Sequence, residues 1–386
     1  MVNTEAAVVI DNSVPSTVPA SVAAAAVAVA VELEANKTTE LMLTNLKQQS
    51  ILDFDKGDPT MYEAYWKSIG DDFKITISAS KALSYFANPK SFCWFMLPKL
   101  EREIRNLHNY VGNAVVEGRH IVVGNGSSQL IQAALYALAE PLDPSSPISV
   151  VSAAPFYSCY PQIADYMRSG LFKWGGDAHA YVDHDDQPYI EMVTSPNNPD
   201  GELRGPVVNK TNGMLVHDLA YYWPQYTAIT KPADHDIMLF TASKCTGHAG
   251  SRIGWAIVKD SHVAKLMVKF LEISTIGVSK EAQLRAISIL EMISTNSCPT
   301  NFFKSPTSLL DTYAWMKARK GINLEEVMKE ENIRVRGGRT FGFPSNYARL
   351  SILGRDNDFD QFLKRLPSIF KRLAHSKCCS SPAYEL

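Results

Sequence analysis

Between His120 and Asp260 short apolar runs alternate with amphipathic stretches, and no other feature of the chain restricts its fold so tightly. A parallel strand is buried on both faces and its connection must cross over, usually as a helix, so this alternation is the pattern of a mostly parallel sheet with covering helices. IVVGNGSSQLIQAALYALAE is one such unit: strand, glycine-rich turn, helix. ISVVSAAPFYSCY, YIEMVTSPNNPDG and GMLVHDLAYYW add apolar runs that stop at Pro, Asn or Asp. The expected fold class is α/β, a mostly parallel central sheet with helices on both faces, plus a smaller α+β domain. Ligands of such sheets gather outside the carboxyl ends of the strands, so the residues that end these runs are the candidates for function.

The run Ile237 to Phe240 leads into TASKCTGHAGSRIGW, where Thr241, Ser243, Gly247, Gly250, Ser251 and Gly254 crowd around Lys244 and Arg252. A lysine beside a buried strand end loses solvation, which lowers its pKa and frees the amine for a Schiff base. A solvated loop lysine is the plain alternative. Arg252, a fixed cation among small residues, could meet a phosphate. Lysine, hydroxyls and arginine together would hold pyridoxal 5'-phosphate.

Other run ends supply compatible parts. Gly126, Ser127, Ser128 and Gln129 open a helix through small polar residues, which offers free N–H groups and a positive dipole end to a phosphate. The same turn also occurs for steric reasons alone. Tyr157 could lie flat against a ligand ring. Asn198 could donate to a phenolate oxygen. Asp218 follows the apolar Met214 to Val216, and a carboxylate at that depth needs a cation, either a protonated pyridine nitrogen or a structural arginine. Tyr221 could reach the same ring. Arg349, among apolar neighbours in NYARLSIL, needs an anion such as a substrate carboxylate.

Composition removes several classes. A net charge of −2 leaves no basic surface in bulk for nucleic acid or an anionic membrane. The six cysteines form no CxxC pair and the nine histidines no HExxH, so no metal is expected, and a reducing, cytoplasmic setting fits. The apolar stretch Val22 to Val31 is too short to span a membrane, and with Lys37 as the first basic residue it does not resemble a signal peptide. Residues 1–45 are expected to be a low-complexity, disordered arm.

Cradle, stacking aromatic, Asn, Asp-x-x-Tyr, Ser-Lys and a following Arg occur in the order that resembles the fold-type I pyridoxal-phosphate enzymes. Within them the chain is similar to the plant tryptophan aminotransferase and alliinase group, most closely in VVGNGSSQLIQAALYALA, TSPNNPDG, HDLAYYWPQYT and LFTASKCTGHAGSRIGWAIVKD. The resemblance implies Lys244 as the internal aldimine, Asp218 on the pyridine nitrogen, Asn198 and Tyr221 at the ring oxygen and Tyr157 on the ring. It implies the phosphate at Ser127, Ser128, Thr241, Ser243 and Arg252, with the substrate α-carboxylate at Arg349. Tyr85 matches a tyrosine that in similar enzymes reaches the phosphate of the neighbouring subunit, which implies a homodimer. The activity implied is transfer of the amino group of L-tryptophan to a 2-oxo acid such as pyruvate, giving indole-3-pyruvate for auxin biosynthesis.

An alliinase-type C–S lyase would use the same lysine, but alliinases carry a secretory signal and a Cys-rich segment ahead of the catalytic region, and neither is expected here. The expected division is a segment 46–78 contributing to the small domain, a cofactor domain 79–290 and a shortened C-terminal domain 291–386. Only KSPTSLLD separates Phe303 from TYAWMKA where the family has a few dozen residues. That gap also admits an inactive protein that keeps the fold.

Overall fold

The computed structural model describes residues 9–10, 50–140, 142, 146–182, 187–295, 302–303 and 313–375. The shortened connection at 304–311 lies outside them, as does the arm 1–45 apart from Val9–Ile10. Those two residues form a strand, β1, rather than an unstructured stretch. The chain divides into two compact units, Met1–Asp58 with Leu310–Leu386, and Pro59–Leu309. The divisions therefore fall at 58/59 and 309/310 instead of the expected 78/79 and 290/291. The cause at the first is that residues after Pro59 form the helix Glu63–Ile69, whose aromatics pack with Phe302 and His248. At the second, the helix Lys280–Ser294 continues past 290 along the helix Pro98–Val111.

In the first unit β2 (Leu52–Asp53) belongs with the C-terminal part of the chain, because the Leu52 and Phe54 N–H groups donate to the Asn332 and Arg334 carbonyls. The larger unit is built on seven strands: β3 (His120–Gly124), β4 (Ile148–Ser152), β5 (Phe172–Asp177), β6 (Tyr189–Thr194), β7 (Gly213–Asp218), β8 (Ile237–Thr241) and β9 (Gly254–Val258). Their order is β3-β9-β8-β7-β6-β4-β5. Strands β8, β7, β6, β4 and β5 run parallel, and β9 alone is antiparallel to its neighbours β3 and β8. Side chains alternate between faces, so adjacent residues of a strand meet helices on opposite sides of the sheet. Leu130 of the helix Ser127–Ala139 fills the space above Gly124, while His108 of Pro98–Val111 bonds Trp255, the neighbour of Gly124's partner Gly254. Helices thus cover both faces. Strands β6 and β8 are buried throughout, as an apolar run covered on both sides must be.

The first unit continues with β10 (Tyr313–Lys317), β11 (Ile333–Arg334), β12 (Arg336–Gly337) and β13 (Tyr347–Ser351). One sheet has the order β1-β10-β13-β12, all antiparallel, and β11 pairs in parallel with β2. Helices Leu324–Glu330 and Asp356–His375 complete it. Its own core contains Leu52, Phe54, Ile333, Val335, Leu350 and Leu373. Each such buried side chain contributes about 1.5–3 kcal/mol relative to exposure.

Candidate active site

Strand register gathers the run ends. Thr194 pairs with Asp218, Asp218 with Leu239, Thr241 with Gly254, and Gly254 with Gly124. Partners share a face, as do residues two apart, so Thr194, Asp218, Thr241 and Gly124 lie on one face at one end of the larger unit's sheet. This is the carboxyl end of every strand but β9.

Asp218 is buried there. Its Oδ2 accepts from the Tyr160 hydroxyl at 3.0 Å and its Oδ1 from the Ala220 N–H at 3.2 Å. Among the described residues no cation pairs with it, so the structural arginine that the sequence left open is not there. Burial pushes its carboxyl above the ordinary range, with Tyr160 and Ala220 pulling the other way. A positive group brought to that carboxylate would reverse the shift. Burial and the Asp218 charge push the Tyr160 hydroxyl far up, which keeps it a donor, and the Thr194 hydroxyl lies 2.6 Å from its oxygen.

The glycine turn and Arg252 meet. Gly126 has φ +80°, and a Cβ there would stand 2.5 Å from the Arg252 guanidinium. A Cβ on Gly254 would lie 2.7 Å from the Gly126 carbonyl carbon and 2.8 Å from the Ser127 nitrogen. Gly254 is therefore needed for β9 to approach the start of the helix Ser127–Ala139, and Gly126 leaves room for the Arg252 guanidinium. Arg252 donates to the Ala249 carbonyl at 2.9 Å. The cradle has a guanidinium beside a helix N-terminus, a combination suited to a dianion.

Lys244 sits on the short helix Ala242–Cys245, capped by Thr241 Oγ1, which accepts from the Ser243 N–H at 3.2 Å. Thr241 and Ser243 are buried and Lys244 is half-buried, its Nζ 5.6 Å from the centre of the Tyr221 ring. Tyr221 lies in a turn beyond β7, three residues after Asp218. Tyr157 packs edge-on to Tyr160 at 5.3 Å. Asn198 is buried in the loop that the Asn197 and Arg204 side chains tie to the Pro155 carbonyl, at 2.9 and 3.2 Å.

Three candidates stand differently. The Gln129 side chain turns away from the cradle: its Oε1 accepts from the Asn125 N–H at 2.9 Å and its Nε2 donates to Ser274 and Thr275 at 3.1 Å, so only its backbone remains for an anion. Tyr85 is 70% exposed. Arg349 belongs to the other unit, on β13, where its guanidinium lies 4.3 Å from the Tyr313 ring centre and 5.3 Å from that of Phe341 and donates to the Asp55 carbonyl. The Asp55 carboxylate itself pairs with Arg336 at 2.6 Å.

The larger unit's residues fit pyridoxal 5'-phosphate: a buried carboxylate without a cation, a cradle that two glycines keep open beside an arginine, and a half-buried lysine against a tyrosine ring. Among the described residues no cluster of His, Cys, Asp and Glu could hold a metal ion, and no helix is long and apolar enough to cross a membrane. Comparison with known proteins gives three findings. The allinase family profile matches residues 52–301 and 293–370. Tryptophan aminotransferase-related protein 2 of Arabidopsis thaliana is 47% identical over 83% of this chain and 82% of its own, and alliin lyase 1 of Allium sativum 34% identical over 83% and 75%. The aspartate aminotransferase of Rhizobium meliloti shares the fold with a TM-score of 0.61 at 16% identity, over 94% of this chain and 98% of its own.

Proposed function

Because this chain belongs to the alliinase family of fold-type I pyridoxal-phosphate enzymes, we propose that it is an aminotransferase taking L-tryptophan and a 2-oxo acid such as pyruvate to indole-3-pyruvate, an auxin precursor, and an amino acid. The observation that carries this reading is the difference in likeness, 47% to a tryptophan aminotransferase-related protein against 34% to an alliin lyase. Pyridoxal 5'-phosphate, the family's cofactor, supplies an aldehyde and a ring that draws electrons from the substrate's α-carbon. Asp218 would hold the ring nitrogen protonated, since a buried carboxylate is stabilised by a partner's positive charge. Ser127, Ser128, Thr241, Ser243 and Arg252 would take the phosphate, Asn198 and Tyr221 the ring oxygen, and Tyr157 one ring face. Lys244 Nζ would remove the proton from the substrate's α-carbon. Arg349 would grip the α-carboxylate in a two-pronged fork.

Incubation with L-tryptophan and pyruvate should yield indole-3-pyruvate and alanine, read by chromatography. An alliin lyase relative is the ground for a second reading, in which the same lysine serves loss of a sulfur leaving group from the β-carbon. Release of pyruvate from an S-alkyl cysteine sulfoxide, with no product from tryptophan, would establish that reading instead. The proposal includes a homodimer, supported by exposure of Leu83, Tyr85 and Phe86 in one short stretch, and a cytoplasmic location, supported by the free thiols of Cys93, Cys159 and Cys245.

A further inference from the structure

Three successive backbone carbonyls leave the end of the lysine helix, at Lys244, Cys245 and Thr246, and each is met by a side chain from elsewhere in the larger unit. The Lys244 carbonyl accepts from the Tyr62 hydroxyl at 3.1 Å and from the Tyr226 hydroxyl at 2.9 Å. The Cys245 carbonyl accepts from Gln225 Nε2 at 3.0 Å, and the Thr246 carbonyl from Trp66 Nε1 at 2.9 Å. Carbonyls at a helix end are commonly left to water or to a tighter last turn. Here four donors come from two distant segments, the stretch Thr60–Ile69 and the turn after Tyr221.

The surroundings hold those donors in place. Phe302 stacks on Tyr62 with ring centres 5.7 Å apart and lies 5.9 Å from Trp66. Gly247 has φ +80°, and a Cβ on it would stand 2.6 Å from the Tyr62 side chain, so a glycine is kept where Tyr62 closes in. Tyr226 packs edge-on to Tyr221 at 5.4 Å, and the Tyr221 ring faces Lys244 Nζ. One tyrosine thus reaches both ends of the lysine, its carbonyl directly and its amine through a neighbouring ring. Burial pushes the Tyr62 hydroxyl up, so it remains a donor.

We propose that Tyr62 and Tyr226, supported by Trp66 and Gln225, are positioning residues that fix the Lys244 peptide so that its amine meets the cofactor's aldehyde in one geometry. The inference rests on Lys244 being the lysine that carries the cofactor. The bond in question forms when Nζ condenses with the aldehyde carbon and one water leaves, and its equilibrium depends on how often the amine is in place. Contacts to phosphate and ring do not share that dependence.

The full chain as Tyr62→Phe, Tyr226→Phe, their double variant and Lys244→Ala would be stripped of cofactor. Affinity for pyridoxal 5'-phosphate would be measured by equilibrium dialysis beside that for pyridoxine 5'-phosphate, which carries an alcohol in place of the aldehyde. The double variant should bind the aldehyde about tenfold more weakly and the alcohol as wild type does. Each single variant should show a smaller loss in the same sense, which also serves if the double variant does not fold. Unchanged aldehyde affinity overturns the proposal, and so does an equal loss for both ligands, the mark of a merely loosened pocket. If Lys244→Ala binds the aldehyde as tightly as wild type, the lysine assignment fails and the proposal with it. The aminotransferase reading is judged separately, by its products.

Discussion

A buried carboxylate keeps its charge only if polar groups replace the water it has lost, and at Asp218 the side chain that does so is Tyr160. Its hydroxyl favours the ionised form and opposes the upward push of burial. Tyr160→Phe keeps the ring and removes that donor, so Asp218 should become a poorer partner for a positively charged ring. The loss of one hydrogen bond to a charged group is worth about 1.5–3 kcal/mol, which predicts cofactor affinity lower by at least tenfold in equilibrium dialysis. Affinity within twofold of wild type would mean that Tyr160 serves packing alone. Asp218 was identifiable as a charge ending an apolar run. Tyr160 carried no such sign, because a tyrosine three residues after Tyr157 is one more aromatic beyond the end of an apolar run.

At the scale of elements, the cradle depends on how closely β9 can approach the first turn of the helix Ser127–Ala139. The atoms nearest a Cβ on Gly254 are all backbone, at Gly126, Phe240 and Ser127, and backbone cannot rotate aside as a side chain does. Gly254→Ala should therefore push the helix start away from β9. Overpacking of this kind costs about 1–3 kcal/mol, so the melting temperature should drop and affinity for pyridoxine 5'-phosphate should fall together with that for the aldehyde. That pattern differs from the one expected of the Tyr62 and Tyr226 variants, where only the aldehyde is affected. A Gly254→Ala protein that melts and binds as wild type does would show that the helix start has room to move. The strand, turn and helix were legible because their periodicities are local. The demand on Gly254 was not, since it arises from pairing with a strand whose partner residue, Gly124, is remote in the chain.

For the molecule as a whole, three enclosed histidines set an acid limit. Burial lowers His108 from an ordinary value of 6.5 to about 4 against the pull of its Asn113 hydrogen bond, His217 to about 3 with help from the stacked His235, and His248 to about 4. A histidine whose folded value lies below its unfolded one takes up its proton more readily in the unfolded chain. The stability it contributes is complete above about pH 6.5 and is lost as pH falls through the folded value. Melting temperature should therefore fall steadily from pH 6.5 towards 4, and His217→Gln should make that fall shallower; an unchanged slope in the variant would remove His217 from the account.

Local residue patterns were enough for the α/β class, the strand end that bears Asp218, the lysine just beyond another strand end, the glycine turn at Gly126 and Arg252 among small residues. Each of these is a property of neighbouring residues: the period of burial along a strand or helix, and the polar or flexible types that stop it. Packing is what brings Tyr160 to Asp218 from 58 positions away, Tyr62 and Trp66 to the lysine turn across 182 and 180, and the Gln129 side chain to Ser274 and Thr275. It also placed 59–78 with the larger unit, Pro59–Leu309, rather than the small one. The reason is physical: a hydrogen bond is satisfied by whichever group packing brings within about 3 Å, and separation along the chain leaves no local trace of that choice.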